Sequence, residues 1–205
     1  MRIATYDIEW MDRLFDNDGA LLNDDGWSSR HKVTRKEQTD ALGVVFKAMD
    51  ADAVMIIEAP DQGKRRDAAL ALETFAARFG LRARKAAIGF ANDTQQEIAM
   101  LYDPDAMTVR HDPKGYDLGE TGGRNAPRFD GAFRIDLDVD DVEDLVTFSK
   151  PPLELAIKTK AGFDLHLIGA HLKSKAAHGA RNRDEVMRFS IANRRKQLAQ
   201  AIWLR

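Results

Sequence analysis

The chain has 205 residues, 44% apolar and 31% charged, which is enough apolar side chain for a core of ordinary domain size and too much for a disordered chain. Lys and Arg number 31 against 33 Asp and Glu, so the net charge of −2 excludes a global polycation made for tight, unspecific nucleic-acid binding. Cysteine is absent, which excludes disulfides, thiolate zinc sites and cysteine nucleophiles. The charge is uneven along the chain. Residues 171–205 carry nine Lys/Arg against two acids, a local +7 that leaves −9 on residues 1–170. Asp7 interrupts the opening run before a signal-type apolar segment can form, and no stretch approaches about 18 consecutive apolar residues. A cytoplasmic α/β protein without a membrane span is expected.

In chain order, residues 2–8 favour a strand through Ile3, Thr5 and Tyr6, and the polar stretch 16–32 reads as a long loop. Thr34 and Glu37 have capping-box spacing, and Leu42, Val45, Phe46 and Met49 follow at helical intervals, so a helix is expected over 35–49. Residues 53–57 are continuously apolar, as in a strand covered on both faces, and end on Glu58. Residues 64–79 predict a helix with Leu72, Phe75, Ala76 and Phe79 on one side and Gly80 as its stop. Short strands are expected at 83–88, 97–102 and 107–111, then a long loop over 112–128, where six residues are Gly or Pro. Residues 133–139 alternate as a half-exposed strand. Pro151-Pro152 opens a strand at 153–157, which a turn at 158–162 joins to another at 164–170. A helix from about 185 to 205 has Val186, Phe189, Leu198 and Ile202 as its apolar positions. The pairing implied is mixed rather than regularly βαβ.

Three strand ends carry polar groups that the strand patterns do not require: Asp7, Glu58 and His171. A carboxylate after five apolar residues is costly if buried alone. Glu58 either marks where its strand emerges into solvent or offers an oxygen to a hard cation such as Mg²⁺. Asp7 has the same two readings. His171 falls with Lys173, Ser174 and Lys175 within five residues, a composition suited to holding a phosphate, although a lone His at a strand end is more often structural. His166 reads as structural. The Gly-containing stretch 115–123 is not a dinucleotide fingerprint, and the six acids within 136–144 lack the Gly and closing Glu of an EF-hand loop.

Five segments, RIATYDIEW, ADAVMIIEAPD, QEIAMLYDPD, KPPLELAI and LHLIGAHLKSK, occur in the order and spacing of motifs of the endonuclease/exonuclease/phosphatase superfamily, which the chain resembles over nearly its whole length. That superfamily includes abasic-site endonucleases, pancreatic-type deoxyribonucleases, sphingomyelinases and inositol-polyphosphate phosphatases. The resemblance implies a four-layer α/β sandwich, two mixed sheets face to face with helices outside. It implies Mg²⁺-dependent hydrolysis of a phosphoester, with Mn²⁺ as the alternative ion. Glu58 would hold the metal, Asp7 would reach it directly or through water, and His171 would donate to a phosphate oxygen. Lys173 and Ser174 are weaker candidates for phosphate contact, and Tyr102 and Asn92 for lining the site. Asp7 stands where the family usually has Asn. The family's Gly-Asp-x-Asn segment and terminal Asp-His pair do not occur. The expectation is one domain over 1–205, incomplete on its C-terminal side before the Gly-Asp-x-Asn strand, and inactive by itself. A non-catalytic module binding phosphate or nucleic acid through the +7 segment is the competing reading.

Overall fold

The computed structural model describes residues 1–91, 97–137 and 142–205. They form a mixed α/β structure with nine strands and three helices. The chain divides into two compact units, residues 1–112 with 149–170, and residues 113–148 with 171–205.

The first unit is built on a four-stranded sheet of order β1-β2-β4-β3, from β1 (Ile3–Asp7), β2 (Ala53–Ala59), β3 (Lys85–Ile88) and β4 (Glu97–Tyr102). β1 runs parallel to β2, with Asp7 opposite Ile57, and the other neighbours are antiparallel. Alternation along β2 sends Val54 and Ile56 to one face and Ala53, Met55 and Ile57 to the other, and both faces are buried. The first face packs under α1 (Arg35–Met49) and α2 (Ala68–Phe79), where Tyr6, Phe46 and Phe75 meet edge to face. Burying Phe75 completely is worth about 1.5–3 kcal/mol. Gly43 lets the two helices approach, because a Cβ there would lie 2.2 Å from the Phe79 ring. The second face packs on an antiparallel sheet of order β5-β8-β9, from β5 (Met107–His111), β8 (Leu153–Thr159) and β9 (Asp164–Gly169), through Met107, Leu153, Leu155 and Ile157. The far side of that sheet exposes Thr108, Arg110, Lys158 and His166. The unit is therefore layered helix, sheet, sheet.

The second unit pairs β6 (Ala132–Ile135) with β7 (Asp144–Thr147) and includes α3 (Arg183–Leu204). Its core is aromatic. Phe129, Phe133 and Phe148 surround Trp203, whose indole N–H donates to the Pro127 carbonyl at 2.8 Å.

Several boundaries differ from the expectation. The second helix starts at Ala68, not 64, because the Asp67 carboxylate caps it by accepting from the Ala69 and Leu70 amides. Residues 64–66 stay outside because the Arg66 guanidinium is spent on the carbonyls of Asp12, Phe15 and Asp16. In α3 the expected apolar positions Val186, Leu198 and Ile202 are exposed, Phe189 is half-buried, and Ala199, Gln200 and Trp203 are buried instead. β6 ends at Ile135: residues 136–137 are not strand, and the remainder of its expected span, 138–139, lies with part of the acidic run outside the described residues. The loop over 112–128 contains a 3₁₀ turn at Gly119–Thr121 and is tied across itself by Tyr116 and Ala126. Among the described residues no helix is long and apolar enough to cross a membrane.

Candidate functional site

Glu58 occupies a β-bulge. Ile57 pairs with Ile98 and Ala59 with Glu97, so Glu58 is an extra residue on β2 with no position opposite. The insertion flips the alternation: Ile57 packs in the inter-sheet core and Ala59 in the helix-side core. Glu58 is thereby released from both. Its backbone sits at φ +62, a left-handed conformation that costs an ordinary side chain about 1–2 kcal/mol. Glu9 and Trp10 of the neighbouring segment are also left-handed, at φ +55 and +74. Strain gathered on three non-glycine residues in one place is the kind found at binding and catalytic sites.

Hydrogen bonds fix this corner. The Ile8 amide donates to the Ile57 carbonyl at 3.1 Å, and the Met11 amide to the Glu58 carbonyl at 3.3 Å. The Trp10 amide donates to Glu58 Oε2 at 3.1 Å, while the Trp10 carbonyl accepts from Gln38 Nε2 of α1 at 3.3 Å. The Glu58 side chain is only 13% exposed, and Lys150, 11% exposed, brings its Nζ to 3.9 Å from Oε1. Burial pushes the Glu58 carboxyl above the usual carboxylate range, and the charges of Asp7 and Glu9 push the same way; Lys150 and the Trp10 amide oppose them. Burial also lowers the Lys150 ammonium, against the pull of Glu58, Asp7 and Glu97. Asp7 is exposed at the end of β1 and accepts from the Glu9 amide at 3.2 Å.

The sequence-based candidates divide between the two units. Asp7 and Glu58 come together in the first. His171, Lys173 and Ser174 belong to the second. His171 is half-buried. The Lys173 amide donates to Gln200 Oε1 at 2.7 Å, and Gln200 reaches on to the Thr147 carbonyl at 3.0 Å. Burial, and then the charge of Lys173, lower the Lys196 ammonium, so two cations stand near one another here. Ser174 is exposed, and its hydroxyl accepts from the Ala176 amide at 3.2 Å. Tyr102 does not line the site. It pairs with Ala53, at the opposite end of β2 from Glu58. Asn92 lies outside the described residues.

No family model, no curated protein and no solved structure matches the chain.

Lys150 and Glu97 were not among the sequence-based candidates. Glu97 is 4% exposed and opens β4 opposite Ala59, one register step from the bulge. The signal that singles out Glu58, a carboxylate bounding an apolar run, applies equally to Glu97 before Ile98-Ala99-Met100-Leu101. Antiparallel pairing then brings the end of one run beside the start of the other. Lys150 has no such signal beyond standing before Pro151-Pro152. Among the described residues no three His, Asp or Glu side chains gather into a ready metal cage.

Proposed function

We propose that this chain carries the metal-binding part of a Mg²⁺-dependent phosphoester hydrolase. The observation that carries the reading is the Glu58 bulge, which sets a half-buried carboxylate on a left-handed backbone beside Asp7 on parallel neighbouring strands. Charge supports it: Asp7 and Glu9 act on Glu58, and Lys150 feels Glu58, Asp7 and Glu97, while Glu9 is paired with Arg30 at 2.7 Å. An oxygen-only set of two carboxylates suits a hard ion that keeps several waters, and the lack of cysteine argues for Mg²⁺ or Mn²⁺ over Zn²⁺. Glu58 would hold the ion and Asp7 would assist directly or through water. Such an ion supplies polarisation of a phosphoryl oxygen and neutralises developing charge. The chain's own residues have separate tasks. In the first unit the Trp10 amide orients Glu58 and Lys150 balances the carboxylates before an ion arrives; in the second, His171 and Lys173 are by themselves candidate donors to phosphate oxygens.

The test is calorimetric titration of Mg²⁺ into the chain and into Glu58→Ala. Saturable binding that Glu58→Ala abolishes, with the fold retained by circular dichroism, is expected; equal affinity in both would end the metal reading. No Gly-Asp-x-Asn occurs in the sequence, so binding rather than turnover is the readout. The +7 segment, with Lys173 beside Lys196, supports the second reading, a phosphate- or nucleic-acid-binding module without turnover. Metal-independent, salt-sensitive oligonucleotide binding with no Mg²⁺ affinity would favour it.

A further inference from the structure

We infer that the first unit holds a separate oxyanion site, a polar cleft of about 250 Å³ lined by Arg13, Arg35 and Arg66 that takes a phosphoryl-type group. Asp12, Phe15 and Leu22 complete the lining. The inference does not rest on the metal reading of Glu58.

The three guanidiniums have different duties. Arg66 is 12% exposed and structural: it ion-pairs with Asp12, and its Nε and Nη2 donate to the Asp16 and Phe15 carbonyls at 2.9 and 3.1 Å. Among the described residues Arg35 bonds through Nη1 alone, which grips both oxygens of Asp24 at 3.1 and 3.0 Å, and its buried Nε has no acceptor. Arg13 is exposed, and no ion pair or hydrogen bond of its guanidinium is found among the described residues. A buried donor without a partner is expensive, and native structures normally supply an acceptor from the protein, a water or a bound ion.

The lining itself holds three guanidiniums and one carboxylate, Asp12; Asp24, gripped by Arg35, and Asp61, which feels the charges of Asp12 and Arg66, lie beside it. The Asp12 carboxylate is already engaged by Arg66 and by the Asp61 amide at 3.2 Å. The amides at the start of α1 are not what recruits the anion. Those of Arg35 and Lys36 are consumed by the Gly26 and Asp24 carbonyls at 2.8 and 3.0 Å, and that of Glu37 by the Thr34 hydroxyl at 3.2 Å. The unfilled capacity is therefore in side chains: the Nε edge of Arg35 and the fork of Arg13. Planar guanidiniums match the oxygens of a phosphoryl group better than ammoniums do, and two of them around one tetrahedral anion give charge-assisted bonds on two sides. The group can come from free phosphate or from the terminal phosphate of a nucleotide.

The test is proton–nitrogen spectroscopy of the arginine Nε–H signals, in EDTA, titrating inorganic phosphate and, separately, thymidine 5′-monophosphate. The Arg35 signal is assigned by its loss in Arg35→Lys. A saturable shift of that signal is expected, with apparent affinity about tenfold weaker in Arg13→Gln, the scale of one lost charge-assisted bond. Tighter binding of the nucleotide than of phosphate identifies a terminal phosphate as the ligand; equal binding identifies the free ion. Glu58→Gln and Lys173→Gln leave the Arg35 shift unchanged, which separates this site from the proposed metal and phosphate groups. An Arg35 signal that stays still while others move, or that moves equally in Arg13→Gln, would overturn the inference and leave an ordered water as the partner of Nε.

Discussion

Lys150 Nζ stands 3.9 Å from Glu58 Oε1, and the two side chains are nearly equally buried, 11% and 13% exposed. At that separation the pair is a loose ion pair rather than a tight hydrogen bond, with room for a shift. Burial lowers the ammonium and raises the carboxyl, so each partner holds the other in its charged form against desolvation. The same ammonium competes with any divalent cation for Glu58.

Lys150→Met keeps the apolar stem and removes the charge. Without metal the variant is expected to lose about 1–3 kcal/mol, because a half-buried carboxylate loses a charged neighbour that offsets its desolvation. With excess Mg²⁺ the loss should shrink, and Mg²⁺ affinity at pH 8 should exceed that of the parent. Urea unfolding with and without Mg²⁺ checks both. A loss that Mg²⁺ leaves untouched would show that the metal and Lys150 do not share Glu58.

The raised Glu58 carboxyl gives a pH dependence with a definite sign. In the native chain the proton is held above the ordinary value of 4.5, where the unfolded chain has already released it. The stability from this proton is complete below 4.5 and is lost as pH rises through the native value. Relative to Glu58→Gln, which cannot titrate, the parent should therefore lose stability from about pH 4.5 upward and then level off. Lys150 acts oppositely at alkaline pH. Its native value lies below 10.5, so its contribution grows as pH rises from that native value toward 10.5. Urea midpoints of both chains at half-unit pH steps measure the difference, and a flat or rising acid limb would contradict the burial of Glu58.

Much of the local structure was legible because short-range signals and tertiary packing agree. Thr34 and Glu37 form both halves of a capping box, and α1 runs over the expected residues. The apolar run at 53–57 is a strand buried on both faces. Agreement fails where a distant partner outbids the local pattern. Lys64, Arg65 and Arg66, expected in the helix, stay out of it because Arg66 is drawn to carbonyls about fifty residues earlier in the chain. β7 has no readable alternation, since Leu145 is exposed and only Val146 is buried. The site divides the same way. Asp7 and Glu58 announce themselves by ending strands, whereas the left-handed backbone at Glu9, Trp10 and Glu58 and the approach of Lys150 depend on register and bulge, which no run of residue types encodes.

Trp203 should dominate the second unit. Its ring centroid lies 5.6, 5.6 and 4.9 Å from those of Phe129, Phe133 and Phe148, and its N–H is bonded. Trp203→Ala removes the centre of this small core and strands the Pro127 carbonyl, a loss of about 3–5 kcal/mol. Hydrogen exchange in β6 and β7 should quicken markedly, whereas Leu198→Ala, on the exposed side of α3, should change it little. Equal effects of the two substitutions would mean that the aromatic cluster does not hold the unit together.

Asp7 is where the chain departs from the pattern it resembles. An ionised Asp only accepts hydrogen bonds, whereas Asn both accepts and donates, so Asn can hold a neighbouring carboxylate without a cation. In this chain a second negative charge beside Glu58 must be balanced, and Lys150 does so only in part, since Asp7 still raises Glu58. Asp7→Asn therefore removes a reason for the site to take Mg²⁺. It retains an oxygen that can accept from the Glu9 amide at the same 3.2 Å, so the turn after β1 should survive. The expected result is Mg²⁺ affinity weaker by about tenfold, the scale of one lost charge contact, with unchanged thermal stability in EDTA. Glu58 should also become easier to ionise, shifting the acid limb of its stability profile to lower pH. The measurements are calorimetric titration with Mg²⁺ and the urea series described for Glu58→Gln. Unaltered metal affinity would place Asp7 among ordinary solvated strand ends, and an unaltered acid limb would show that its charge does not reach Glu58.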